Sequence, residues 1–355
     1  MLTSLAAGAV PTAQDVADAS SVSVATVSRV FNFPDKVLPA TRKRVQAAAQ
    51  RLGYLPNASA RTLRTQRSRV LGVVLPTLLN PVFAEWLQGL AQAATLHGYS
   101  IVPLTTEYQL PLEERAVNLL LAGNVDGMIL VVSNPARSRA LKKLGKSRIP
   151  YVLAYNRHPA HPCVSVDGEQ AVASVVAELV GLGHRRIAMV SGQLAASDRA
   201  QQRHRGYLSG MRAAGLKPAL LEVPFVDTAA GEIKSFMKRK AAPTALVCSN
   251  DLLAIRSVRA LRLAGLQVPG DVTVVGFDGI ALGRDLTPAL STVVQPNAAI
   301  GKMAVELVMQ VLASRQRLDA TASVTLPWTF REGESRAPAR QPIPKIYPPP
   351  KGATT

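Results

Sequence analysis

Residues 15–32 read DVADASSVSVATVSRVFN, and the fold of the N-terminal part turns on them. The opening Thr12-Ala13-Gln14-Asp15 has the form of a helix cap, with Asp15 near the positive end of the helix dipole. Ser20-Ser21-Val22-Ser23 is a short turn, and Ser23 is a natural N-cap for a second helix over 24–31. On that helix Val27, Val30 and Phe31 fall at i, i+3 and i+4 and make one apolar face. Val24, Ala25, Ser28 and Arg29 are left on the opposite face. A third helix over 41–52 gathers Val45, Ala48, Ala49 and Leu52 and stops at Gly53, closing a small core. Two short helices joined by so tight a turn form a helix-turn-helix, whose second helix enters the DNA major groove.

Charge agrees with this reading. The chain has 355 residues and a formal charge of +18, and residues 1–69 hold ten Lys/Arg against three Asp/Glu. A local excess of +7 suits a polyanion, because neutralised phosphates supply most non-specific DNA affinity. A hydrophobic fraction of 48% with only 18% charged residues excludes a disordered chain and fits a globular α/β protein. Residues 1–11 are apolar without a basic start and read as a disordered leader, not a signal peptide. No apolar run approaches the roughly 20 residues that span a bilayer, so a cytoplasmic protein without membrane contact is expected. Cys163 and Cys248 each border an apolar run and read as reduced, semi-buried thiols.

From Arg69 onward strands and helices alternate. Expected strands lie at 69–75, 100–104, 125–132, 149–154, 186–190, 244–248 and 271–276. Expected helices lie at 80–97, 111–122, 137–144, 168–182, 199–214 and 251–264, several of them closed by Gly98, Gly123, Gly215 or Gly265. Such alternation implies parallel sheets covered on both faces, here in two sets, hence two subdomains with a cleft between them. Ligands of open α/β sheets sit beyond the carboxyl ends of the strands. The segment 331–355 is rich in Pro and basic residues and reads as a disordered tail without a leucine heptad.

The headpiece stretch, followed by RVQAAAQRLGYLPNASARTL at 44–63, resembles the headpiece and hinge of the lac repressor (LacI/GalR) family. Later stretches also match: NPVFAE from Asn80, LGHRRIAMVSG from Leu182, RHRGY from Arg203, SNDLLAI from Ser249, VPGDVTVVGFD from Val268 and STVVQP from Ser291. The resemblance spans about Thr12 to Phe330. It implies a small all-α helix-turn-helix headpiece (12–56), a hinge (57–68) and a two-lobed α/β domain like a periplasmic binding protein (69–330). It also implies a homodimeric regulator, most simply a repressor, that binds a palindromic operator in double-stranded DNA under the control of a small carbohydrate or sugar acid.

The resemblance carries roles to single positions. Val24, Ala25 and Arg29 would read bases, Arg29 by two hydrogen bonds to guanine. Thr12, Thr26, Ser28, Asn32 and Thr41 would contact phosphates. In the hinge, Asn57, Ala60, Arg61, Leu63 and Arg64 would meet the minor groove, Leu63 as a wedge. Within the headpiece two positions depart from the family: Ser21 stands where Gly is usual in the turn, and Leu38 where a phosphate-contacting Ser is usual; in the effector domain Val226 stands where a ring-stacking aromatic is often expected, with Phe225 adjacent.

For the effector, the resemblance points to Asn80, Phe83 and Arg203, and the ends of the expected strands to Asn250 and Asp278. Arg199 and Tyr155 complete the expected set, although Tyr155-Asn156-Arg157 stands where many relatives carry an Asp followed by Arg. Asn250 suits a helix N-cap equally well. Arg157, Arg199 and Arg203 together would make the pocket positive, and NPVFAE resembles the gluconate-responsive members; both favour an acidic sugar derivative. No phosphate loop, nucleophile elbow or HExxH motif occurs, so neither an enzyme nor a cofactor is expected. His158, His161 and Cys163 share a loop with two prolines, whose spacing is unlike a zinc site, so no metal is expected. A transporter's solute-binding protein would share the two lobes but would need an export signal and no headpiece.

Overall fold

The computed structural model describes residues 10–55, 67–225, 229–239, 241–314 and 316–340. The chain divides into two compact units, Met1–Ser68 and Arg69–Thr355.

The first unit holds α1 (Ala13–Ser20), α2 (Val24–Asn32) and α3 (Pro39–Leu52). Thr12 Oγ1 accepts from Asp15 N–H, and Asp15 Oδ2 accepts from Thr12 N–H at 2.7 Å, a reciprocal cap that satisfies two donors at the helix start. These bonds to the ionised carboxylate lower the Asp15 pKa. Ser23 caps α2 by accepting from Thr26 N–H. The helix α3 begins two residues before the expected start, because Pro39 fits a first-turn position that needs no N–H. Val16, Ala17, Val27, Val30, Val45, Ala48 and Ala49 form the buried core, with Phe31, Leu52 and Tyr54 packed at its edge.

In the second unit each lobe is a six-stranded sheet between helices. The strands of lobe 1 are β1 (Val70–Leu75), β2 (Ser100–Thr105), β3 (Gly127–Leu130), β4 (Tyr151–Ala154), β5 (Cys163–Val166) and β11 (Val324–Leu326), in the order β11-β5-β4-β3-β1-β2. Those of lobe 2 are β6 (Ile187–Gly192), β7 (Leu220–Val223), β8 (Ala245–Cys248), β9 (Thr273–Asp278), β10 (Ser291–Val294) and β12 (Thr329–Arg331), in the order β12-β10-β9-β8-β6-β7. All pairings are parallel except the edge pair β10 and β12.

Alternation along β1 explains its continuous apolar run. Leu71, Val73 and Leu75 pack on the side of α4 (Pro81–Leu96) and α11 (Asn297–Ser314). Val74 packs on the other side, toward α5 (Leu110–Ala122) and α6 (Arg139–Lys146). Likewise Ile187 and Met189 of β6 face α7 (Gly168–Gly181) and α8 (Asp198–Ala213). Ala188 and Val190 face α9 (Ala230–Met237) and α10 (Asp251–Leu263). Between α4 and α11 the backbones touch: a Cβ on Gly89 would lie 2.4 Å from Ala298 O, and one on Gly301 2.5 Å from Trp86 O.

The chain passes between lobes three times, after β5, between β10 and α11, and between β11 and β12. The expectation of a disordered tail from Arg331 is corrected for residues 331–340. They lie as an extended strap on lobe 2, where Ser335, fully buried, donates to Val274 O at 2.6 Å and accepts from Ser291 N–H at 2.9 Å. Ala339 N–H donates to Leu182 O, and Arg340 pairs with Asp271. Prolines bar a helix here, but an extended segment can still satisfy its polar groups against the end of a sheet. Residues 341–355 and the leader 1–9 lie outside the described residues.

Ser21 ends α1 with φ +52°, the left-handed conformation that a side chain resists. Replacing it with Gly relieves that strain, partly offset by a more flexible unfolded chain. We expect Ser21→Gly to stabilise the headpiece by about 0.5–1 kcal/mol, measured as slower hydrogen exchange of the amides in α1 and α2 of the full chain. Unchanged or faster exchange would show that the turn holds no strain.

Candidate functional site

Two groups of residues in separate units invite a functional reading. In the headpiece, Val27 and Val30 of α2 are buried, and Val24, Ala25, Ser28 and Arg29 are exposed together on its other face. The expected base readers therefore share one solvent-facing surface. Of the expected phosphate contacts, Thr12 is exposed at the start of α1 and Ser28 is exposed on α2, while Thr26, Asn32 and Thr41 are half-buried. Asn32 Nδ2 donates to Ser28 O at 2.6 Å, which holds the end of α2. Leu38, at the start of α3, is 76% exposed and supplies no side-chain cap, as fits a position where a polar residue is usual. Asn57, Ala60, Arg61, Leu63 and Arg64 lie outside the described residues.

The second group lies between the lobes of the other unit. Asn80, Phe83, Tyr155, Arg199, Arg203, Asn250 and Asp278 all line one cavity. Each stands at or just beyond the carboxyl end of a strand, or on the helix that comes after it. Asn80 is both a lining residue and the N-cap of α4, its Oδ1 accepting from Val82 N–H at 3.2 Å. Asn250 does the same for α10, accepting from Leu253 N–H at 2.8 Å, so its two readings hold at once.

The floor of the cavity is an ion pair. Arg203 Nη2 donates to Asp278 Oδ1 at 3.2 Å, Arg203 Nη1 donates to Ser249 O, and the guanidinium stacks 3.7 Å from the Phe277 ring centre. Gln295 Nε2 donates to Asp278 Oδ1 at 2.9 Å, and Asn80 also bonds this carboxylate. Burial nevertheless dominates and pushes the Asp278 pKa up to about 7, against the opposing pull of Arg203. Burial likewise lowers the Arg203 pKa. Tyr155, fully enclosed, donates its hydroxyl to Asn297 Oδ1 at 3.1 Å, and burial raises its pKa well above the usual value.

Other bonds tie the lobes together around this floor. Arg199, on α8 of lobe 2, donates through Nη1 to Val132 O of lobe 1 at 2.7 Å and pairs with Asp198. Asp198 N–H donates to Ser133 O, and Asn156 Nδ2 donates to Asp198 Oδ1 at 2.6 Å. On the other side Glu85 of α4 accepts from Ala281 N–H at 2.9 Å and from Asn297 Nδ2 at 2.8 Å. At the cavity mouth, Tyr108 of lobe 1 stacks on Phe225 of lobe 2, ring centres 4.6 Å apart and planes within 8°.

Arg157 is a correction: it pairs with Asp167 at 2.8 Å outside the cavity and adds no charge to it. Lining residues that the sequence pattern does not assign include Tyr108, Ser249 and Gln295, while Phe225 also lines the cavity. Tyr108 stands in a left-handed loop (φ +60°) with no periodic signal, whereas Ser249 and Gln295 stand in matched stretches at strand ends. Three non-glycine residues of the cavity, Tyr108, Tyr155 (φ +63°) and Asp278 (φ +122°), hold positive φ, as strained functional sites often do. His184 is held by Thr244 and Ala337 O, and His161 by Tyr151, in structural bonds. The Cys163 and Cys248 thiols are buried, with pKa values pushed up to about 11 and about 12.

Residues 12–57 match the family described as bacterial regulatory proteins, lacI family, and residues 176–335 match the periplasmic binding protein-like domain. The chain is 33% identical to catabolite control protein A of Priestia megaterium, over 89% of this chain and 96% of that protein. The chain belongs to the lacI family of bacterial regulatory proteins. This lacI-family chain is also 32% identical to the HTH-type transcriptional regulator GntR of Escherichia coli strain K12, over 83% of its own length and 90% of that protein. The crystal structure of the lac repressor dimer bound to operator and the anti-inducer ONPF matches it with a TM-score of 0.83 and 26% identity, over 93% of this chain and all of that one. The relatives named here are transcription regulators, and this family member carries their DNA-binding domain. None of its described helices is long and apolar enough to cross a membrane.

The raised pKa of Asp278 has a sign. A folded carboxyl that titrates near 7, against 3.8 unfolded, holds its proton more tightly when folded, so this group favours folding at low pH. That contribution is lost as pH rises from about 4 to about 7. We expect the stability difference between Asp278→Asn and the parent to shift in the variant's favour across this window. Thermal midpoints in matched buffers measure it, and parallel curves for the two proteins would place the titration elsewhere.

Proposed function

We propose that this chain is a repressor that binds a palindromic operator as a homodimer. A small carbohydrate or sugar acid in the interlobe cavity sets its affinity for DNA. The observation that carries this reading is the convergence of all seven expected effector contacts on one cavity, bridged by both lobes, in a chain with a DNA-binding headpiece. Val24, Ala25 and Arg29 read bases in this proposal, and Thr12, Thr26, Ser28, Asn32 and Thr41 hold the backbone. Leu63 and its hinge neighbours serve the minor groove. The lac repressor structure, itself a dimer on operator DNA, supports the same arrangement by analogy.

The mechanism is linkage. An effector that prefers one arrangement of the lobes shifts their equilibrium, and operator affinity changes by the same free energy. The protein acts by binding alone, in the cytoplasm beside its DNA, and not as an enzyme. The Asp278 carboxylate is engaged by Arg203 and Gln295, and neither Cys163 nor Cys248 lines the cavity.

Selection from random DNA should return a near-palindrome. Arg29→Ala should cost about 1–3 kcal/mol in operator binding and relax the preference for one guanine in each half-site. Arg203→Ala should bind operator without effector as the parent does, but no longer respond to effector. Operator titrations with and without effector decide it. An asymmetric consensus, or a normal response from Arg203→Ala, would overturn the corresponding part of the reading.

A further inference from the structure

The hydrogen-bonding inventory of the cavity walls says which chemical group an effector must bring. Several of the acceptors there are already used. Asn80 and Asn250 each spend their side-chain oxygen on capping a helix, and Asn80 also bonds Asp278. Arg203 and Gln295 both donate to Asp278 Oδ1, and Ser249 O is taken by Arg203. Ser197 Oγ accepts from Ala200 N–H, and the Tyr155 hydroxyl is committed to Asn297.

What remains is mostly donors. Arg199 is 8% exposed and spends Nη1 on Val132 O and Asp198. Its Nη2, with two hydrogens, is buried and has no partner among the described residues. The buried Ser249 Oγ, in the same lining, also has none. Asn250 adds the NH2 end of an amide whose oxygen faces its own helix. Buried donors left unpaired are costly, so a ligand that supplies acceptors gains from each. A neutral polyol brings a hydroxyl hydrogen with every oxygen and finds few acceptors here. A carboxylate accepts only, and charge-assisted bonds to a guanidinium are the stronger kind.

We infer that the effector carries a carboxylate, and that Arg199 Nη2, Ser249 Oγ and Asn250 Nδ2 are its seat. The inference rests on the reading of this cavity as the effector site and narrows it to sugar acids. It also assigns a conformational preference. Arg199 belongs to lobe 2, as do Ser249 and Asn250, yet its Nη1 is fixed on Val132 O of lobe 1, so lobes drawn together as they are here hold the guanidinium in its orientation toward the seat. Binding of the acid therefore favours this closed arrangement over a more open one.

The test is thermal unfolding of the full-length protein with a panel of aldonates and uronates. Each is paired with its alditol or hexose, such as D-gluconate with D-glucitol and D-glucose, at equal millimolar concentrations. At least one acid should raise the midpoint by several degrees while its neutral partners leave it unchanged. Titration calorimetry should then show at least a tenfold loss of affinity for that acid in Arg199→Gln. Ser249→Ala, which leaves the interlobe bonds intact, should show a several-fold loss. If a neutral sugar stabilises as well as its acid, or Ser249→Ala and Arg199→Gln both bind the acid like the parent, the carboxylate seat is wrong while the effector cavity stands. If nothing in the panel shifts the midpoint, the cavity's assignment to a sugar-type effector falls, and the seat with it.

Discussion

Parallel strand pairing is the constraint on which this molecule depends. A parallel sheet needs a crossover between neighbouring strands, and each crossover returns the chain to the same starting edge. Every strand in such a sheet therefore ends on one side, and the loops leaving the strands all emerge there. Asn80 comes after β1, Tyr108 after β2, Tyr155 after β4 and Asn250 after β8, while Asp278 closes β9. Residues scattered over some two hundred positions thus meet without any local sequence device to bring them together. Among the described strands only β12, added antiparallel at an edge, breaks the pattern, and it carries the chain to the strap on lobe 2.

The cavity so formed is expensive to build. Asp198, Asp251 and Asp278 are all buried carboxyls whose pKa values burial raises, and Arg203 is buried among them. Such groups are tolerated when their hydrogen bonds are filled, and breaking one partner leaves a charge stranded. Asp251 shows how completely this is done, with Thr292 Oγ1 and Ile280 N–H both donating to it from beneath the floor. Strained backbone at Tyr155 and Asp278 adds to the cost. Arg199 helps to hold the lobes together, and its Nη2 has no partner among the described residues. In the reading proposed above, a side chain so placed makes ligand recognition and lobe arrangement one event.

Much of this is legible in the amino-acid order alone. Long apolar runs such as 69–75, each leading into an amphipathic stretch with a glycine stop, announce parallel strands and their helices. The strand-end rule with the matched stretches places Asn80, Arg203, Asn250 and Asp278. The features that stay hidden do so for physical reasons. The strands Cys163–Val166 and Leu220–Val223 each carry a polar residue, Ser165 and Glu222, that interrupts the short apolar run. The helix Asn297–Ser314 is so widely apolar that its periodicity is weak, because it lies between a sheet and α4. Nearness to Tyr155 in sequence suggests a place in the pocket for Arg157, but its side chain leaves toward Asp167. Residues 332–340 have no period because they run as an irregular strap, and their order comes from partners distant in the chain, such as Val274 and Leu182.

The triple passage of the chain between lobes has a bearing on how the protein is made. Lobe 1 draws its helix α11 and its edge strand β11 from the last third of the chain, and lobe 2 draws its strap from still later residues. During synthesis from the N-terminus, the headpiece is finished within the first fifth of the polypeptide. The sheet of lobe 1, by contrast, must wait with its β5 edge unpaired and the face of α4 uncovered until nearly everything else has left the ribosome. A truncated or stalled product would therefore carry an intact DNA-binding module attached to an incomplete, sticky body with no cavity for an effector. No continuous stretch of the gene encodes either lobe, so the effector domain can be inherited, exchanged or duplicated only as a whole.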